Sequence, residues 1–215
     1  MKRVAANTTK CRVAHASNRS AIFCKNRQFI RIFTATIMQH YSEILSEVLI
    51  SEEQLQARIA QLAQQLDADY ATHPDLLLVC ILRGGVMFLT DLMRKMTVPH
   101  QIDFMSIGSY GSGARSSTGN VRVILDLQTD IRGRHVVLVE DIVDSGHTLA
   151  RVLELLNSRQ PASLKVCCLL DKESRRQTPV PIDYVGFPIE DKFVFGYGLD
   201  LDEYWRNLPF IGVVG

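Results

Sequence analysis

Long apolar runs are missing from this 215-residue chain. No stretch approaches the roughly 20 residues that a helix needs to cross a bilayer, so helical membrane spans are excluded. Cysteine is sparse and carries no pattern. Cys11, Cys24, Cys80, Cys167 and Cys168 form no C-x-x-C pair, which argues against a zinc site or a disulfide framework. Cys80, Cys167 and Cys168 lie inside apolar strand-like runs and read as buried thiols of a reducing compartment. Acidic residues are absent from the first 37 positions, which hold eight Lys or Arg. The other 178 residues carry 16 basic and 23 acidic side chains, a net of −7 beneath the overall +1. An acidic body argues against nucleic acid as the main partner. Residues 1–37 also lack the continuous apolar stretch of a secretory signal. Their composition suits an organelle-targeting peptide. The simpler expectation is an upstream extension, with Met38 as the natural start and residues 38–215 as the domain.

What is present is ordinary core material: 47% hydrophobic, 22% charged and 7% aromatic residues, enough for one globular domain. Ser51-Glu52-Glu53-Gln54 is a capping box, and Leu55, Ile59, Leu62 and Leu66 follow as one helical stripe. Leu76 to Leu82 is a continuous apolar run that fits a strand covered on both faces. Gly84-Gly85 and a helix to about Met96 come next. Strands are expected at 100–107, 121–126, 135–140, 164–170 and 183–187, with a helix at 146–158. Such alternation predicts an α/β fold, a mostly parallel twisted sheet flanked by helices. The polar, glycine-rich stretch 108–120 reads as a lid.

One segment holds most of the functional information: Val136-Val-Leu-Val-Glu-Asp-Ile-Val-Asp-Ser-Gly-His-Thr-Leu149. It is a buried strand ending in Glu140 and Asp141, followed by a turn with Asp144, Ser145, Gly146, His147 and Thr148 at a helix start. Ligands of parallel sheets sit outside the carboxyl ends of the strands. A small-residue turn into a helix N-terminus offers backbone N–H groups and a positive dipole end to a phosphate. The acidic pair suits sugar hydroxyls or a hydrated divalent cation. Together these point to a phosphorylated sugar. The plainer reading is an ordinary strand–helix turn with solvated acids. It fits a lone Asp-x-x-Ser-Gly better than it fits this concentration of acids and hydroxyls.

The segment resembles the phosphoribosyl pyrophosphate motif of type I phosphoribosyltransferases. From about Met38 to Val214 the chain is similar to the hypoxanthine-guanine phosphoribosyltransferases in their shorter bacterial form. Leu82-Arg83-Gly84-Gly85, Ser109-Tyr110, the Glu140–Thr148 segment, Lys172 and Tyr184-Val-Gly-Phe-Pro-Ile-Glu-Asp-Lys-Phe193 fall in the order of that family. The resemblance implies transfer of phosphoribose from phosphoribosyl pyrophosphate to a 6-oxopurine, with Mg²⁺, and a hood formed by the chain ends. It places the 5-phosphate on 144–148 and the ribose hydroxyls at Glu140 and Asp141. It makes Asp144 the general base at purine N7. Pyrophosphate meets Arg83, Gly84 and Arg206. Lys172 donates to the 6-oxo group, Tyr184 stacks on the purine, and the Val185 backbone meets its 2-position. Glu140, Asp141 and Asp191 attend the metal, and Ser109 and Tyr110 close over the substrate. The family forms dimers or tetramers, so a cytoplasmic homo-oligomer without membrane or nucleic-acid partners is implied. His147 stands where the family more often has lysine or an aliphatic residue. It is expected to be a tolerated surface variant whose backbone does the binding, the alternative being an imidazole that approaches the 5-phosphate. The competing function is a non-catalytic regulator that senses phosphoribosyl pyrophosphate. Asp144, Lys172 and Tyr184 together with the acidic body favour the enzyme.

Overall fold

The capping box forms as expected. The Ser51 Oγ accepts from the Gln54 backbone N–H at 3.3 Å, and the Gln54 side chain accepts from the Ser51 N–H at 2.8 Å. Two orphan N–H groups of the helix start are thereby satisfied. The helix they open, α2 (Glu52–Asp69), buries Leu55, Ile59, Leu62 and Leu66 along one stripe. These are features of a computed structural model that describes residues 40–73, 75–109 and 121–215. A short helix, α1 (Tyr41–Ile44), begins the described chain, and Ile44–Gly215 forms one unit.

That unit is built on six strands: β2 (Leu76–Leu82), β3 (Gln101–Ser109), β4 (Val121–Leu125), β5 (His135–Val143), β6 (Ser163–Asp171) and β7 (Tyr184–Pro188). They lie in the order β4-β3-β2-β5-β6-β7. All pairs are parallel except β3 with β4. β2 and β5 are central and read as unbroken apolar runs because both of their faces are covered. Side chains alternate across the pleat. Leu76, Leu78 and Cys80 therefore pack with α2 and α3 (Val86–Lys95). Leu77, Val79 and Ile81 pack with α4 (His147–Ser158) on the other face. Cys80, Cys167 and Cys168 are buried free thiols, and burial pushes the Cys80 thiol up to about 12.

The chain ends build a second, three-stranded sheet in the order β1-β9-β8, from β1 (Leu45–Ile50), β8 (Val194–Phe195) and β9 (Ile211–Val214). This is the expected hood, and its strands are antiparallel. β5 runs three residues beyond the expected end, because Ile142 and Val143 continue the ladder with Leu170 and Asp171. Gly108 and Ser109 belong to β3, where they pair with Arg122 and Val121. They are strand rather than lid; Tyr110 and the rest of the expected lid lie outside the described residues. At the outer edge of β7, Arg58 from α2 donates to the carbonyls of Val185 at 2.7 Å and Gly186 at 2.9 Å.

Leu62 is fully buried between α2 and the sheet. Leu62→Ala is expected to cost about 2–5 kcal/mol, read as a lower urea midpoint with an unchanged slope.

Candidate functional site

The strand order reverses between β2 and β5, and ligands of open α/β sheets sit at such a point. Four parallel strands deliver their carboxyl ends here: β2 into Arg83 and Gly84, β5 into the 140–148 segment, β6 into Lys172, and β7 into the turn before Phe193. The Leu82–Arg83 peptide is cis. Gly84 packs so closely on β5 that a β-carbon there would lie 1.5 Å from Asp141 Oδ2.

Glu140 and Asp141 are neighbours in a strand, so they point to opposite faces. Glu140 faces a cavity of about 360 Å³ lined by residues 142–149, Arg175 and Gln177. Asp141 faces Gly84 and accepts from the Ile142 N–H at 2.8 Å. Glu140 Oε2 is buried without a hydrogen-bond partner. Burial, reinforced by the Asp141 charge, holds the Glu140 carboxyl well above its ordinary range. Burial also pushes Asp141 up to about 6, against the Ile142 N–H and the Arg206 charge. Two half-buried acids, one with an orphaned oxygen, fit a bound polyol or a hydrated cation, which often needs only one or two carboxylates beside substrate phosphates. Among the described residues, no cluster of three or more His, Cys, Asp or Glu is arranged to hold a metal alone.

The turn that follows forms the floor of the cavity. Gly146 has φ +85°, and a β-carbon there would lie 2.4 Å from the Thr178 carbonyl oxygen. Only glycine suits that backbone. The first N–H groups of α4, which have no acceptor within the helix, line the same cavity. The 171–178 loop is laced to this turn. The Gln177 and Thr178 N–H groups both donate to the Ser145 carbonyl at 3.0 Å, and Arg176 Nε donates to the Asp144 carbonyl at 3.1 Å. The His147 ring does not reach into open space. Its Nε2 lies 2.9 Å from Gln177 Oε1 and its Nδ1 2.7 Å from Thr178 Oγ1. It is a tie between turn and loop rather than a loose surface group.

Lys172 is 6% exposed. Its Nζ donates to the Lys192 carbonyl at 2.6 Å and has Asp191 Oδ1 at 3.8 Å. Asp144 Oδ1 lies 3.0 Å from Arg175 Nε, an ion pair without hydrogen-bond alignment. Arg83 and Arg206 converge on Glu203, at 2.5 Å and 3.3 Å. Arg206 also donates to the Gly198 carbonyl at 2.8 Å and pairs with Asp200 at 2.8 Å.

Three expectations are corrected. Tyr184 is 6% exposed in the core, and its hydroxyl donates to Asp69 Oδ2 at 2.5 Å; it offers no face to a purine. The Val185 carbonyl is taken by Arg58. Asp191 pairs with Arg175 and Lys172 rather than joining Asp141. The acid whose charge reaches Asp141 is Asp200. Sequence reasoning missed Phe193, which is 62% exposed and directly follows the carbonyl that holds Lys172. A large apolar ring beside polar Asp191 and Lys192 was the available signal.

The family described as "Phosphoribosyl transferase domain" matches residues 50–203, and the chain belongs to that family. It is 50% identical over 169 residues to the hypoxanthine phosphoribosyltransferase of Salmonella typhimurium, covering 78% of this chain and 94% of that protein. It is 49% identical over 179 residues to the hypoxanthine-guanine phosphoribosyltransferase of Mycobacterium bovis, covering 81% and 88%. A solved hypoxanthine phosphoribosyltransferase from Staphylococcus aureus superposes with a TM-score of 0.78 at 43% identity, covering 83% of this chain and 96% of that one.

The raised Asp141 carboxyl sets a pH dependence. Between its unfolded value near 4 and its folded value of about 6, the native state keeps a proton that the unfolded chain has lost. Stability of the ligand-free protein therefore falls as pH rises through that window. Asp141→Asn removes the term. It is expected to stabilise the ligand-free protein by about 1–3 kcal/mol at pH 8 and by less at pH 5, read from urea unfolding at both pH values.

Proposed function

We propose that the protein transfers the 5-phosphoribosyl group of phosphoribosyl pyrophosphate to a 6-oxopurine, hypoxanthine and guanine in particular, in purine salvage. Carrying this reading is the Lys172 ammonium, buried beside an exposed aromatic ring and one loop from a phosphate cradle. A cationic donor donates to a 6-oxo oxygen and rejects the 6-amino group of adenine, which leaves a buried donor unmatched. Nothing in the geometry favours the regulator reading.

The 5-phosphate sits on the 144–148 turn, held by backbone N–H groups and the helix dipole. Glu140 and Asp141 flank the ribose and would hold Mg²⁺, with Asp200 as the further acid beside Asp141. The cation supplies charge neutralisation for the leaving pyrophosphate. Gly84 admits that group close to the backbone, and Arg83 and Arg206 turn from Glu203 to meet it. As purine N9 bonds to C1, the C1–O bond to pyrophosphate breaks and the proton on N7 passes to the Asp144 carboxylate. A base so placed contributes about 10²–10⁴-fold. Positive charge developing on the sugar is met by the Glu140 and Asp141 carboxylates. Phe193, rather than Tyr184, provides the aromatic face for the base.

Turnover with Mg²⁺ and phosphoribosyl pyrophosphate, offering hypoxanthine, guanine, xanthine and adenine separately, tests the reaction. Nucleotide is expected from the 6-oxopurines and not from adenine, with Asp144→Asn reducing the rate about 10²–10⁴-fold. No turnover with any base, despite tight binding of phosphoribosyl pyrophosphate, would restore the regulator. Phe193→Ala is expected to raise KM for the base about three- to tenfold. Tyr184→Phe should leave that KM alone and cost about 1 kcal/mol of stability; equal effects of the two on KM would refute the reassignment.

A further inference from the structure

Lys172 and Asp144 approach the base from different turns, yet a chain of alternating charge joins them. Lys172 Nζ lies 3.8 Å from Asp191 Oδ1. Arg175 Nη1 lies 3.3 Å from the same oxygen, and Arg175 Nε is 3.0 Å from Asp144 Oδ1. The Lys172 side chain is only 8% exposed, and among the described residues Asp191 is the one carboxylate that pairs with it. A buried ammonium needs such a counter-charge. Its hydrogen bond to the Lys192 carbonyl uses one of three donors, which leaves donors for a substrate oxygen. On a 6-oxopurine, O6 and N7 lie along one edge of the ring system. The group that donates to O6 and the group that takes the N7 proton must therefore keep a fixed separation.

We infer that Asp191 and Arg175 are a positioning pair that sets this separation, so that the donor and the proton acceptor are presented to the purine as one unit. The inference rests on the proposed purine reading. Arginine suits the task because its rigid fork engages two carboxylates at once, which a lysine ammonium does not reproduce. Preorganisation of this kind acts on the reacting geometry rather than on the fold. Arg175, Asp191 and Asp144 are 47%, 52% and 43% exposed, so their ion pairs contribute little to stability, and variants are expected to fold.

The test is steady-state kinetics of Asp191→Asn, Arg175→Gln and the double variant with hypoxanthine and phosphoribosyl pyrophosphate, beside Asp144→Asn and Lys172→Gln. Asp191 does not line the phosphate cavity, so Asp191→Asn is the discriminating variant. It is expected to lower kcat/KM for the base about tenfold, with KM for phosphoribosyl pyrophosphate held within about twofold. The double variant should be no worse than Arg175→Gln alone, because the two residues act through one chain. Unchanged base kinetics in Asp191→Asn, equal shifts in both substrates, or losses that multiply in the double variant would each overturn the inference. If instead Asp144→Asn and Lys172→Gln also leave base kinetics unchanged, the purine reading itself fails.

Discussion

The site depends on how closely three backbone segments meet at Gly84. On one side the Asp141 carboxylate occupies the space that a β-carbon would fill. On the other, Gly198, at φ +96°, comes so near that its own β-carbon would lie 2.1 Å from the Gly84 carbonyl oxygen. Gly198 in turn exchanges hydrogen bonds with Arg206, through the Gly198 N–H to the Arg206 carbonyl and the Arg206 guanidinium to the Gly198 carbonyl. The end of β2, the end of β5 and the loop before β9 are thereby fixed against one another. The two arginines expected at pyrophosphate and the acid expected at the ribose sit where this contact puts them. Interiors transmit small displacements rather than absorbing them, so an added methyl group here would shift charged groups on all three segments.

The same logic applies across the floor of the site. The 171–178 loop carries Lys172, Arg175 and the partners of His147, and it is bonded to the phosphate turn through Ser145, Asp144 and His147. The 144–148 turn and the loop that carries Lys172 and Arg175 are thus one hydrogen-bonded body hung from the ends of β5 and β6. In the proposed reaction, binding of the sugar phosphate and presentation of the base would share this framework.

Much of this was legible in the letters. The continuous apolar runs at 76–82 and 136–139 gave β2 and β5, because strands covered on both faces have no polar alternation to hide them. The capping box and its stripe gave α2, and the acid-rich segment gave the turn that lines the cavity. What failed was long-range. Tyr184 and Phe193 each precede a valine in one short stretch, and no local pattern separates them. Tyr184 is buried because Asp69, 115 positions earlier, receives its hydroxyl; Phe193 is exposed because the turn after β7 carries it out. Asp191 and Asp200 are likewise equivalent as letters and are told apart by the cations that fold against them. His147 reads as a departure until its partners, 30 and 31 residues away, close on it. β8 has two residues and β9 four, too few to show a period.

One detail at the sheet margin bears on life in a crowded solution. A terminal strand ordinarily offers a row of unmet carbonyl and amide groups to any extended chain that drifts by. On β7, the Arg58 guanidinium covers two consecutive carbonyls with charge-assisted bonds. An incoming strand would have to displace a cation held by two acceptors and seat its own amides against a positive group. That margin is guarded in its middle by one side chain and at its end by Pro188, which has no N–H to offer a further strand.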